Sequence, residues 1–124
     1  MTVEHDEQRA VFDWALMMSG QHPELELLFA IPNAGKRSYG AAAYYKYEGL
    51  KAGVPDICLA VANERYHGLY IEMKWPNKRG QFRITENQRI WIDKLRGRGY
   101  CAVVCTSADH AIGEIVSYLG IEEE

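Results

Sequence analysis

Two apolar runs, residues 54–61 and 69–74, flank a polar stretch at 63–68, and this arrangement constrains the chain more than any other feature. Both runs have the length and the Val/Ile/Leu content of strands, and the stretch between them, with Asn63 and Gly68, is turn-forming. An antiparallel hairpin is the expectation. Opposed positions in such a pair sum to a constant, so pairing Asp56 with Glu72 centres the hairpin on residue 64, inside the polar stretch. Turn and pairing agree without adjustment. Opposed residues on one face have Cβ atoms about 4.5–5.5 Å apart. Lys74 follows Glu72 by two positions and shares its face, while Ile71 and Met73 take the other face and turn to the core.

A charge inside an apolar run is costly to desolvate unless something compensates it. Asp56 and Glu72, held opposite each other, would repel, and a shared divalent cation turns that repulsion into a site. Carboxylate oxygens suit Mg²⁺ or Mn²⁺ rather than zinc, and the backbone carbonyl of Met73 could add a further oxygen. Lys74 could orient or help deprotonate a water, or stabilise charge developing on a phosphorane. Taken singly, either segment reads as ordinary structure, because strand edges carry Asp and Lys and Glu-x-Lys arises by chance. Both together, at hairpin spacing inside apolar runs, favour a site.

The rest of the chain reads as alternating helices and strands. Residues 3–19 carry an apolar stripe of Val11, Trp14, Ala15 and Met18 and stop at Gly20, the pattern of a helix. Residues 25–31 read as a short strand entering a turn at Pro32-Asn33-Ala34-Gly35, and the Ala- and Tyr-rich residues 38–51 read as a helix. After the hairpin come a loop with Pro76 and Gly80, a helix opened by Thr85 and ending near Gly97 or Gly99, a strand at 100–106 and a last helix at 109–119. The helix after 85 joins two strands, so a parallel crossover is expected there. The expected fold is α/β: one domain over residues 1–124 with a mixed sheet, helices on both faces and an acidic tail at 122–124.

Charge distribution says more than net charge. The total is −3, yet residues 74–98 hold eight basic residues (Lys74, Lys78, Arg79, Arg83, Arg89, Lys94, Arg96, Arg98) against Glu86 and Asp93. A phosphate backbone meets such a local field rather than the total. Cys58, Cys101 and Cys105 lie in apolar runs and read as free thiols in a reducing cytoplasm, and none of the histidines stands at zinc-site spacing. No apolar run approaches membrane-spanning length, and no basic segment followed by an apolar stretch marks the N-terminus for secretion.

Gly53-Val54-Pro55-Asp56 followed by Glu72-Met73-Lys74 resembles the signature of the PD-(D/E)XK nucleases. Glu4, Glu7 and Gln8 in the first helix, Pro32-Asn33 with Lys36-Arg37, and Thr85-Glu86-Asn87-Gln88 with Trp91 extend the resemblance to the VRR-NUC branch, over residues 4–119. Stand-alone members are small, often phage or bacterial, and resemble Holliday-junction resolvases. The resemblance implies a restriction-endonuclease-like α-β-β-β-α-β core, in agreement with the element order above. It implies metal ligation by Asp56 and Glu72, a catalytic Lys74, and an acidic ligand from the first helix. Glu4 with Gln8 matches the family's Glu-x-x-x-Gln spacing and is preferred on that pattern; Glu7 shares a face with Val11, Trp14 and Met18 and stays a rival.

Gln88 has two readings. Thr85-x-x-Gln88 is a capping box, and Gln88 also heads an inward stripe with Trp91, Ile92 and Leu95, where the family uses it to shape the site. Asn33, Lys36 and Arg37, like Lys78, Arg79 and Arg83, are expected on the DNA backbone, and Tyr44, Tyr45 and Tyr47 could stack on bases. The expected activity is Mg²⁺- or Mn²⁺-dependent hydrolysis of DNA phosphodiesters, on branched DNA such as four-way junctions or flaps, by a homodimer. The alternative is a DNA-binding or partner-binding domain that keeps the fold without catalysis.

Overall fold

The computed structural model describes residues 3–32 and 48–122, apart from the side chain of Glu4. Residues 33–47, which hold most of the expected 32–35 turn and of the expected 38–51 helix together with Asn33, Lys36, Arg37 and the tyrosines at 44, 45 and 47, lie outside the described residues, as do the last two glutamates. The expected helix does not reach 48–51, where Gly49, with φ of 93°, sits in a turn.

Helix α1 (Val3–Met18) presents Val11, Ala15 and Met18 to the core, the stripe expected from the periodicity. The expected strand at 25–31 is shorter than that. Pro23 starts a 3₁₀ turn (Pro23–Leu27) instead, in which Leu25 N donates to His22 O at 3.0 Å, and β1 is confined to Leu28–Ala30. Strands β2 (Ile57–Leu59) and β3 (Leu69–Met73) form the hairpin. Helix α2 (Glu86–Gly97), strand β4 (Cys101–Cys105) and helix α3 (Ala108–Leu119) follow.

The four strands lie in the order β1-β2-β3-β4. The first two pairings are antiparallel and β3–β4 is parallel, with α2 as the crossover. The hairpin register is Ile57↔Ile71, Cys58↔Tyr70 and Leu59↔Leu69, the register expected from the sequence. Asn63 builds its turn: Oδ1 accepts from Arg65 N and Tyr66 N at 2.9 and 2.8 Å, and Nδ2 donates to Tyr118 O at 3.0 Å, tying the hairpin tip to the end of α3.

Helix α2 ends on a Schellman motif. Tyr100 N donates to Leu95 O and Gly99 N to Arg96 O, and Gly99 supplies the required positive φ of 91°. Arg96, counted above in the basic stretch, instead donates through Nε and Nη2 to Ala102 O at 3.0 and 2.8 Å. That carbonyl faces outward from edge strand β4, so the guanidinium blunts an edge that would otherwise pair with another chain.

The main core lies between the sheet and α1 and α3, where Ile57, Leu59, Leu69, Ile71, Cys105, Ala111 and Ile115 are fully buried. Helix α2 covers the other face with Ile92 and Gln88. The three cysteines are free thiols, and among the described residues no helix is long and apolar enough to cross a membrane.

Candidate active site

Extending the hairpin register by one step sets Asp56 opposite Glu72, on the sheet face covered by α2. The following rung would pair Met73 with Pro55, and proline has no N–H to donate. The ladder therefore stops. Met73 N donates to Asp56 Oδ2 at 2.8 Å, so a carboxylate stands where a strand carbonyl would have been. The main chain of Asp56 is held from the other side, its carbonyl accepting from Ile31 N at 2.8 Å. Lys74 N donates to Cys105 O in β4 at 2.9 Å. N–H groups alternate in direction along a strand, and a residue's own N–H and C=O share one side, so the Met73 carbonyl faces the β2 side with its amide. Pro55 supplies it no ladder donor.

Both carboxylates are buried, Asp56 at 5% and Glu72 at 1% exposure. Glu72 Oε2 accepts from Gln88 Nε2 at 3.3 Å, and Oε1 is buried as well. Gln88 also completes the capping box: its Oε1 accepts from Thr85 N at 2.9 Å, while Thr85 Oγ1 accepts from Gln88 N at 3.2 Å. The two readings of Gln88 are both present, on different atoms. The helix start that fixes the rotamer of Gln88 also aims its amide at Glu72.

Behind the carboxylates on the same face lie Cys58 and Tyr70, opposed in the register. Burial pushes the Tyr70 hydroxyl up to about 12 and raises the Cys58 thiol, although its hydrogen bond to Tyr70 lowers the thiol in part. Tyr100 packs edge-on against Tyr70, with ring centroids 5.5 Å apart.

In front of them the face opens into a cleft of about 280 Å³ walled by Glu72, Lys74, Trp75, Phe82, Arg83 and Gln88. The loop from 75 to 84 gives Trp75, Phe82 and Arg83 to its wall. Asn77 organises that loop: its Oδ1 accepts from Arg79 N and Gln81 N at 2.9 and 3.0 Å, and its own N donates to Gln81 O at 2.8 Å. Lys78 and Arg79 are exposed at the tip and Arg83 is exposed beside the cleft.

One contact had no spacing to announce it. Gly53 has φ of +90°, and a Cβ there would lie 2.7 Å from the backbone carbon and the Cβ of Asn87. The segment leading into Asp56 thus presses its bare backbone against the first turn of α2, next to Gln88. Its only signal in the sequence is a glycine preceding Val-Pro-Asp.

Asp56, Glu72, Lys74 and Gln88 therefore belong to one corner of the sheet. Among the described residues no group of three or more His, Cys, Asp or Glu side chains gathers, so Asp56 and Glu72 stand there as a pair. Glu7 is half-buried on α1 outside any such group, and Glu4 belongs to the same helix. Two buried carboxylates with a strand-end carbonyl beside them are hard oxygen donors, and that donor set fits Mg²⁺ or Mn²⁺.

Comparison with known proteins agrees with this geometry. The family model described as the VRR-NUC domain matches residues 2–109. A solved structure titled "VRR_NUC domain protein" is similar over 99% of this chain and 93% of its own, with 31% identity and a TM-score of 0.78. No curated protein matches the chain.

Proposed function

Since the chain belongs to the VRR-NUC domain family of the PD-(D/E)XK nuclease superfamily, we propose that it is a metal-dependent DNA endonuclease that hydrolyses phosphodiester bonds, with branched DNA as its preferred substrate. The observation that carries this reading is the pair of buried carboxylates, Asp56 and Glu72, opposed one step beyond the hairpin register, with Glu72 and Lys74 lining the cleft.

Asp56, Glu72 and the Met73 carbonyl would hold Mg²⁺ or Mn²⁺, with Glu4, the ligand preferred on the family pattern, as the further acidic ligand. When bound, the ion supplies Lewis acidity toward a phosphate oxygen and a more acidic water. The chain's own groups do the rest. Met73 N, donating to Asp56 Oδ2, and Gln88 Nε2, donating to Glu72 Oε2, fix both carboxylates in one orientation before substrate arrives. The Lys74 ammonium orients the attacking water and offsets the negative charge that grows on the phosphoryl oxygens. Arg83 at the cleft, with Lys78 and Arg79 at the loop tip, holds the sugar-phosphate backbone, and Asn33, Lys36 and Arg37 add further backbone contacts. Residues 1–124 act as one nuclease domain in the cytoplasm. A two-fold homodimer would place two such sites for paired cuts across a junction, and light scattering gives the mass that checks it.

The decisive experiment is cleavage of linear, flapped and four-way DNA with and without Mg²⁺. The parent cuts only with metal, and Asp56→Asn and Lys74→Ala each lower kcat about 10²–10³-fold while the circular dichroism stays that of the parent. Folded variants that cut as fast as the parent would falsify the mechanism. Salt-sensitive DNA binding without cleavage would identify a non-catalytic binding domain instead.

A further inference from the structure

Phe82 is 46% exposed on the wall of the same cleft that Glu72, Lys74, Arg83 and Gln88 line. Single exposed apolar residues are ordinary on protein surfaces. Among the described residues, the other large ones lie on α1 (Val3, Leu16, Met17), on the segment through β1 (Leu27, Phe29) and on α2 (Ile90). Phe82 differs from them in its surroundings. It shares the cleft with two cations (Lys74, Arg83), a carboxylate (Glu72) and a carboxamide (Gln88), beside Met73 and a second aromatic side chain, Trp75.

The loop does not leave the ring there by default. Asn77 staples the preceding residues into a closed turn through Gly80, whose φ is 76°. Thr85 caps α2 three residues later. Phe82 is thus carried on a short span anchored at both ends, and Trp75 at the base of the loop packs against the core cluster. An aromatic face beside a basic, backbone-tracking groove is the combination by which proteins hold single-stranded nucleic acid. In a continuous duplex each base has both faces covered by its neighbours. A base at a flap, gap or junction offers one.

We propose that Phe82 stacks on an unpaired base next to the phosphate held at Asp56, Glu72 and Lys74, and so makes this cleft selective for DNA with an unstacked nucleotide at the cutting point. This rests on the nuclease reading for the position of the phosphate. In this assignment Arg83 and Lys74 hold the phosphates on either side, and Phe82 is the specificity-determining residue.

Two readouts on one set of proteins test it: the parent, Phe82→Ala, Phe82→Leu and Phe82→Trp. The first is kcat/KM with Mg²⁺ on a flapped duplex and on the same duplex fully paired. Phe82→Ala and Phe82→Leu lower cleavage of the flapped DNA about 10-fold or more, change cleavage of the paired duplex less than 2-fold, and Phe82→Trp restores the parent's preference. Leucine keeps apolar bulk without the ring, so a loss shared by alanine and leucine reports stacking rather than packing. The second readout is the fluorescence of 2-aminopurine at the branch point, with protein added in EDTA. Quenching by the parent and Phe82→Trp, absent with the other two, supports stacking without any cleavage. If the parent cuts flapped DNA while neither readout depends on the ring, the Phe82 assignment is overturned and the nuclease reading stands. If quenching depends on the ring but no DNA is ever cut, the nuclease reading fails and the base-binding role survives. An equal loss on the paired duplex overturns selectivity for an unpaired base.

Discussion

The two faces of the sheet are built on different terms. Against α1 and α3 the strands present Ile57, Leu59, Leu69 and Ile71, all fully buried and all apolar. Against α2 they present Asp56, Glu72, Cys58 and Tyr70, and α2 answers with Gln88, itself 7% exposed. The first face is held by volume and area, which many side-chain combinations can supply. The second is held by named atoms: Met73 N on Asp56, Gln88 Nε2 on Glu72, and Thr85 on both ends of the Gln88 amide and backbone. A buried carboxylate contributes little to stability by itself, and its environment must compensate its desolvation. One face therefore stabilises the domain, and the other uses part of that stability to keep charges in place.

This division is open to test by single substitutions. The largest effect is expected on the apolar face. Ile71→Ala removes a fully buried side chain at the centre of the sheet and costs about 2–5 kcal/mol, read as a shift of the urea midpoint at constant slope. An equal loss in Gln88→Ala would break the contrast between the faces.

For Gln88→Ala the expected cost is about 1–2 kcal/mol, from one cap interaction and one buried hydrogen bond, together with weaker metal-dependent cleavage as Glu72 Oε2 loses the Gln88 Nε2 donor. Gln88→Glu sharpens the point. It keeps an acceptor for Thr85 N but sets a second carboxylate against Glu72. Like charges raise the pKa of the pair, so the variant falls below the parent at pH 8 and recovers toward it as the pH drops to 5.

The smallest expected effect returns to the apolar face, where the Cys105 thiol is fully buried. Burial pushes its thiol from 9.0 up to about 12. The folded protein keeps a proton that the unfolded chain releases, so this contribution is complete below pH 9 and is lost as the pH rises toward 12. Stability should fall by about 1 kcal/mol between pH 8 and pH 10. Cys105→Ala should flatten that decline, and an unchanged decline would assign it to other groups, with Cys58 and Cys101 next to be examined.

Much of the fold was legible because short-range rules write it. The strand period of two, with a polar turn of the right length, determined the hairpin register, and therefore that Asp56 and Glu72 oppose each other. The spacing of Thr85 and Gln88 determined the capping box, and a helix between two strands determined the parallel crossover. The misread 25–31 strand shows the limit: its apolar content was right, but Pro23 favours a 3₁₀ turn that no alternation pattern signals. Arg96 shows another, since a basic residue in a basic stretch carries no mark of the carbonyl it will cover.

What the sequence determined by itself is the chemistry and the register: which acids face each other, which lysine follows on their face, and where the helix beside them starts. Only the tertiary structure decided that α2 lies against that face, so that Gln88 reaches Glu72, the backbone of Gly53 meets Asn87, and Phe82 lines the cleft. The physical reason is range. Periods and caps act over a few residues along the chain. These contacts join residues 16 or more apart in sequence or hang on a loop, and they exist only once a helix and a sheet have packed.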